Sequence, residues 1–373
     1  MPTALSKLAA VGGLLALSAC ASDYNLEGEP PDVNPGDVTE CGFSPISGSV
    51  MSIYDCNPVF SSSVAGADVT SVGFLSTPVV EQPFYQIWYV TSNTSGTGYS
   101  LNYAISSDGT NWQENPSNPL LNNQPGQWDQ DAMDAVKVVW DPTSSQYVMD
   151  YQGITFPANQ LDPGQWGLGV ATSPDGVAWT KYAGNPVIDF TQSDPFSTAP
   201  QPCWPLALTR SGAGLTGYIA AGVVDIWSGQ TAPNCDVYEA NASSLSSWQM
   251  GGQPVLSAGG TWDTAGVADA AVVDYNGTRY MFYVGFTDWV QGNGYVSGEH
   301  SRLLLATSTD AGHSWTKQPD PLPVARTDNG DVRGVGAQVI GHRIHLWITD
   351  YYESEGGQAI GYYLYEPDID PHP

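Results

Sequence analysis

Ser107-Asp108-Gly109-Thr110-Asn111-Trp112 is the first of four related phrases in this chain. The others are Pro174-Asp175-Gly176-Val177-Ala178-Trp179, Ser244-Leu245-Ser246-Ser247-Trp248 and Thr309-Asp310-Ala311-Gly312-His313-Ser314-Trp315. Their tryptophans are spaced by 67, 69 and 67 residues. A fixed period of this kind says that each repeat is one supersecondary unit. Asp, Ser, Asn and Gly ahead of an aromatic side chain read as a tight turn feeding a strand.

Working outward, each repeat carries the same signals in order. An Asn-Pro or its equivalent opens it: Asn57-Pro58, Asn118-Pro119, Asn185-Pro186, Gln253-Pro254 and Asp320-Pro321. A β-rich run follows, as in Trp128-Asp129 through Val139, with a counterpart 134 residues later in Trp262-Asp263 through Val273. Next come an aromatic strand (Tyr85-Gln86-Ile87-Trp88-Tyr89-Val90, for example) and a small-residue strand such as Leu168-Gly169-Val170-Ala171-Thr172-Ser173. The tryptophan phrase then turns into a fourth strand. Helical periodicity is absent, while β-branched and aromatic runs alternate with Gly, Pro, Asn and Asp.

Four strands per repeat and five repeats predict an all-β chain, a five-bladed β-propeller with four-stranded antiparallel blades, because radial repetition protects sheet edges. The last repeat stops after its third strand, at Tyr365-Glu366-Pro367. Residues 47–54 are expected to supply the missing outer strand and so close the ring.

The N-terminus reads differently. Lys7 precedes an apolar run at 8–17, too short for a bilayer span and of the kind found in secretory signals. Leu17-Ser18-Ala19-Cys20 resembles the lipobox of bacterial lipoproteins, which implies cleavage before Cys20 and its lipidation. Residues 1–19 are therefore expected to be a signal peptide, 20–40 an acidic Pro-rich tether, and 41–373 a single propeller domain. The location implied is the cell envelope, periplasmic or at the surface, with membrane contact through the lipid alone.

Four further cysteines, Cys41, Cys56, Cys203 and Cys235, suit two disulfides in an oxidising compartment. Three pairings exist, of which the local one, 41–56 with 203–235, is the simplest. A formal charge of −28 disfavours nucleic acid and anionic lipid as partners. The sequence has no zinc or EF-hand spacing, so no metal site is assigned, although abundant carboxylates leave room for a structural calcium ion. A monomer is expected.

Over roughly residues 41–366 the chain resembles the five-bladed propellers of the glycoside hydrolase clans that include family 43. The resemblance rests on the Asn-Pro phrases, on the aromatic second strands, and on Ala104 to Trp112 and Ala171 to Trp179. Residues 308–315 also fit the Asp-box of sialidase-type propellers, a structural turn. The resemblance implies action on a plant-type or other neutral oligo- or polysaccharide by carboxylate acid/base hydrolysis, on the face where the inner strands begin. Such hydrolysis needs one protonated and one ionised carboxyl, and inversion sets them roughly 6.5–9.5 Å apart.

By location, Asp68 matches the family's general base and Asp134 its orienting carboxylate. Glu299, or alternatively Glu239, is the candidate acid. Asp131, Trp204, Asp269, Trp289 and Arg333 are candidate substrate-binding residues. Trp227, Trp289, Tyr295, Tyr351 and Tyr352 are expected on loops ringing that face, where sugar C–H faces stack on aromatic rings. One departure stands out. The inner strand of the third repeat, Gln201-Pro202-Cys203-Trp204-Pro205-Leu206, has no glutamate where the family carries its acid. That absence supports an alternative, a non-catalytic glycan-binding lipoprotein.

Overall fold

The computed structural model describes residues 41–61, 72–76, 85–92, 99–124, 126–155, 165–189, 201–211, 214–222, 235–292, 295–299, 301–324, 332–352 and 357–373. The chain divides into a unit Met1–Cys41 and a unit Gly42–Pro373. The signal, lipidation and tether expectations fall outside the described residues.

The second unit is a five-bladed propeller of antiparallel sheets, with no helix among the described residues. The first strands of the blades are Val72–Ser76, Ala132–Asp141, Gln201–Ser211, Gly266–Tyr275 and Gly334–Ile340. They pack neighbour to neighbour in cyclic order, the fifth against the first. The second strands, Tyr85–Ser92, Gln146–Thr155, Gly214–Gly222, Thr278–Phe286 and Arg343–Tyr352, return antiparallel to them.

In the last blade the third strand, Gly357–Tyr365, pairs with an N-terminal strand, Met51–Tyr54, through Met51↔Tyr365 and Ile53↔Tyr363. Residues from the start of the domain therefore stand outermost in its final blade. Cys41 and Cys56 are both disulfide-bonded, as the local pairing requires. Cys235 is buried, and the side chain of Cys203 lies outside the described residues.

The Asn-Pro phrases have a different place from the one expected: they close blades instead of opening them. The fourth strand of blade one comes in two short pieces, Gln113–Glu114 and Leu121–Asn122, both paired with Tyr99–Ser106. Asn118 bridges the gap. Its Oδ1 accepts from the Tyr103 N–H at 3.0 Å and its Nδ2 donates to the Tyr103 carbonyl at 3.1 Å. Asn185 does the same to Val170, at 2.9 Å both ways. Asn57 does it to Tyr362 of blade five, at 2.7 and 3.1 Å. One primary amide thus imitates a strand residue, offering a donor and an acceptor where the backbone turns away. The following prolines are cis in all three.

The tryptophan phrases lie at the end of the ring opposite the start of the first strands. Asp108 Oδ1 accepts from the N–H groups of Thr110 and Asn111 at 2.8 and 2.7 Å. Asp175 Oδ1 accepts from Val177 and Ala178 at 2.9 and 2.8 Å. These bonds satisfy turn amides and hold the Asp108 carboxyl down at about 2 against the opposing effect of its partial burial. In blade three Ser244 stands at the aspartate's position, and the turn is held instead by Ser247, whose Oγ accepts from the N–H groups of Ser243 and Ser244.

The turns of blades one and two also cap the preceding blade. The indole Nε1 of Trp347 donates to the Gly109 carbonyl at 3.0 Å, and that of Trp88 to Gly176 at 2.7 Å. Gly109 and Gly176 adopt φ of +79° and +81°, and a Cβ on Gly176 would lie 2.7 Å from the Trp88 ring. Glycine is required there on both counts. The hydrophobic core is accordingly divided among the blade interfaces. One cluster joins Phe60, Tyr89 and Ala104 of one edge to Trp347, Ile360 and Tyr362, so blades five and one share it. Others join blades two and three, three and four, and four and five.

Candidate active site

The first strands begin at the end of the ring where the second strands finish, and Asp131, Asp134, Trp204, Asp269 and Arg333 lie in the chain at or just before those strand starts. Asp131 precedes the first strand of blade two, its N–H donating to the Ile154 carbonyl at 3.0 Å. Asp134 lies three residues further, opposite Gln152. Trp204 lies in the first strand of blade three opposite Ala220, just after a bulge at Cys203. Arg333 leads into the first strand of blade five and is half-buried, its N–H donating to the Thr349 carbonyl at 2.9 Å. Asp68 lies outside the described residues, as do the side chains of Asp134, Trp204, Trp289 and Glu299.

The segment after the second strand of blade four is not the loop expected. Asp288–Gly292 and Tyr295–Glu299 form an added two-stranded hairpin. Trp289 pairs with Gly298, and Glu299 pairs with Asp288 at the base of the hairpin, next to blade four. Tyr351 and Tyr352 also differ from expectation: they extend the second strand of blade five, opposite Gln358 and Gly357. Trp227 lies outside the described residues.

Asp134 and Asp269 occupy matching positions. Tyr151 and Tyr283 are equivalent, since each donates its hydroxyl to the aspartate of a Trp-Asp pair, Asp129 Oδ2 at 3.3 Å and Asp263 Oδ2 at 3.2 Å. Asp134 pairs with the residue after Tyr151, and Asp269 with the residue after Tyr283. Both sit at irregularities of the ladder, and Ala135 next to Asp134 has a φ of 49°. A bulge re-aims side chains at the mouth of a sheet. The fold therefore brings equivalent backbone positions of blades two and four, both aspartates, to one end of the ring.

The Asp269 carboxylate is 4% exposed and is ion-paired through Oδ1 to the ammonium of Lys137, which reaches across from blade two. Its Oδ2 accepts from the Val335 N–H of blade five at 2.8 Å. Burial pushes the Asp269 carboxyl up and Lys137 opposes that shift. The described bonds of Asp269 thus go to the protein itself.

Sequence reasoning missed Lys137 and Asp150. Lys137 sits in the apolar run Ala135-Val136-Lys137-Val138-Val139 and Asp150 in Tyr147-Val148-Met149-Asp150-Tyr151. A charge inside such a run is the signal that could have found them, since buried charges are costly unless paired. The lysines at 181 and 317 are also clasped by buried aspartates, Asp129 and Asp263, behind the tryptophans of the repeated Trp-Asp pairs. Glu239 serves the opposite end of the ring, where its Oε2 lies 3.0 Å from His313 Nδ1 of the blade-four turn. No group of three or more His, Cys, Asp or Glu among the described residues is arranged to hold a metal ion. No described helix is long and apolar enough to cross a membrane.

No protein-family model and no curated protein sequence matches the chain. Solved structures do. The structure of BT0996 in its RGII complex is similar with a TM-score of 0.58 at 15% identity, covering 81% of this chain and 88% of that protein. A structure from the GH130 family of mannoside phosphorylases, which contains glycoside hydrolases targeting β-1,2 mannosidic linkages in Candida mannan, gives 0.55 at 16% identity over 91% and 98%. The Bombyx mori GH32 β-fructofuranosidase BmSUC1 gives 0.54 at 13% identity; the match spans 79% of this chain and 59% of that enzyme. At these identities the likeness is one of fold: the chain is a five-bladed β-propeller whose structural neighbours include glycoside hydrolases and phosphorylases.

Proposed function

We propose that this protein is a glycan-active propeller of family 43-like type, acting on a neutral oligo- or polysaccharide at the end where its first strands begin. The observation that carries the reading is the placement of Asp131, Asp134, Asp269 and Arg333, from three blades, at that end. Asp68 is assigned as general base, Asp134 as the carboxylate that orients and tunes the acid, and Glu299 as the acid. The position of Glu299 at the base of the hairpin, just before the third strand of blade four, supports its role. Neighbouring carboxylates keep an acid protonated by like-charge repulsion, which hydrolysis requires. Trp204, Trp289, Asp131 and Arg333 are assigned to substrate binding.

The unusual inner strand of blade three, with proline, cysteine and tryptophan where an acid is expected, favours one second reading: glycan binding without turnover. Residues 1–19 are proposed as a lipoprotein signal and Cys20 as the anchor holding the protein to the cell envelope. Incubating the mature protein with a panel of neutral oligosaccharides tests the main reading. Release of new reducing ends, abolished by Asp68→Asn and Glu299→Gln, is expected. Saturable binding without release, lost on Trp289→Ala, would favour the second reading. Labelled-lipid incorporation that disappears in Cys20→Ser tests the anchor.

A further inference from the structure

The ring also holds buried ionisable groups to which no catalytic role is assigned. Lys137, Asp150 and Asp269 are 5%, 0% and 4% exposed. Asp150 stands directly opposite Lys137 in the ladder between the first two strands of blade two. Neither oxygen of its carboxyl has a side-chain or neighbouring-strand hydrogen-bond partner among the described residues. The ammonium is instead committed to Asp269 of blade four, whose other oxygen holds the Val335 amide of blade five. A buried ionised carboxylate without a partner is strongly disfavoured. Among the described residues one cation thus faces two buried carboxyls, and the three balance when one carboxyl carries a proton.

Among the described residues, Lys137 is the charged group that acts on both carboxyls, while Arg333 and buried Asp350 flank the Gly334 and Thr349 that lie against Asp269. Against Asp150, blade three presents Gly217, where a Cβ would lie 3.6 Å from Asp150 Oδ2, and the third strand of blade two presents Val170.

We propose that Lys137, Asp150 and Asp269 form a proton-controlled clasp within the propeller. With a proton on Asp150, Lys137 binds Asp269 and ties blade two to blade four and, through Val335, to blade five. When Asp150 gives its proton up to water, it competes for the ammonium of its cross-strand neighbour, and the tie to blades four and five slackens. Burial places the Asp150 carboxyl at about 8, so the clasp is closed at neutral pH, and it opens in acid once Asp269, also raised by burial, takes a proton. The clasp holds whether or not the protein turns over a glycan.

Isotope-edited infrared spectroscopy on the mature protein, with amide hydrogen exchange at Val335, tests it. A protonated-carboxyl band should be present at neutral and acidic pH and fade as the pH passes about 8. Asp150→Asn should remove the band at neutral pH. Val335 should lose protection on the order of tenfold above that pH, beyond the base catalysis seen at other core amides, by local opening. In Asp150→Asn the extra loss should vanish. Lys137→Met should add a second acid band from Asp269. Absence of a protonated carboxyl in the wild-type protein, its survival at neutral pH in Asp150→Asn, or Val335 exchange that follows other core amides through the transition would overturn the proposal. If Asp150→Asn fails to fold, the wild-type band and Val335 exchange decide alone.

Discussion

The two ends of the propeller use the same side chain, aspartate, in opposite ways. At the tryptophan-turn end, Asp108 and Asp175 each bind amides two and three residues along the chain. At the other end, Asp134 and Asp269 sit at ladder irregularities on blades 135 residues apart in sequence, and Asp269 is fixed by a lysine and an amide from two other blades. Local partners make a carboxylate part of a scaffold. Partners assembled from several blades make it part of a site that only the closed ring can build.

Substitutions at the two ends should therefore separate stability from glycan recognition. The largest loss is expected from Trp347→Ala, which empties a fully buried site between blades five and one and frees the Gly109 carbonyl. A cost of about 3–5 kcal/mol is expected from denaturant unfolding, with glycan affinity unchanged under conditions where the protein stays folded. Asn118→Ala removes both bonds to Tyr103. It should cost about 1–3 kcal/mol, and Asn118→Asp should not restore stability, because a carboxylate cannot donate to the Tyr103 carbonyl.

The pH dependence sharpens the contrast. Asp108 is held down at about 2, so its contribution is present above the ordinary carboxylate range and fades as pH falls towards that value. Asp150 is pushed up to about 8, so the folded state binds the extra proton between the ordinary carboxylate range and that value. Stability should fall as pH rises through this window. Asp150→Asn should flatten that fall and leave the loss of stability below the ordinary carboxylate range in place, as read by melting temperature against pH. The smallest effect is expected from Asp175→Ala, about 1 kcal/mol, as for loss of a capping side chain.

Much of the scaffold was legible because its determinants are local. The turn phrases carry their own hydrogen-bond partners within four residues, and their period counts the blades. The Asn-Pro phrases were visible, but their direction was not. Asn57, Asn118 and Asn185 pair with a third strand that precedes them in the ring, and Asn57 pairs with Tyr362, 305 residues away. The hairpin at Asp288–Gly292 and Tyr295–Glu299 was hidden because Gly, Ser, Gln and Asn in that stretch imitate a loop. Lys137 and Asp150 escaped for a related reason: a lone charge in an apolar strand announces a buried partner without saying which. That partner, Asp269, lies 132 residues from Lys137.

The most direct test compares Asp134→Asn with Asp175→Asn in the mature protein, on whichever neutral oligosaccharide the panel identifies. Turnover should fall on the order of 100-fold or more in Asp134→Asn, with an unchanged melting temperature. Asp175→Asn should leave turnover intact. Wild-type turnover in Asp134→Asn, or a loss confined to Asp175→Asn, would contradict the assignment of the site to the end where the first strands begin.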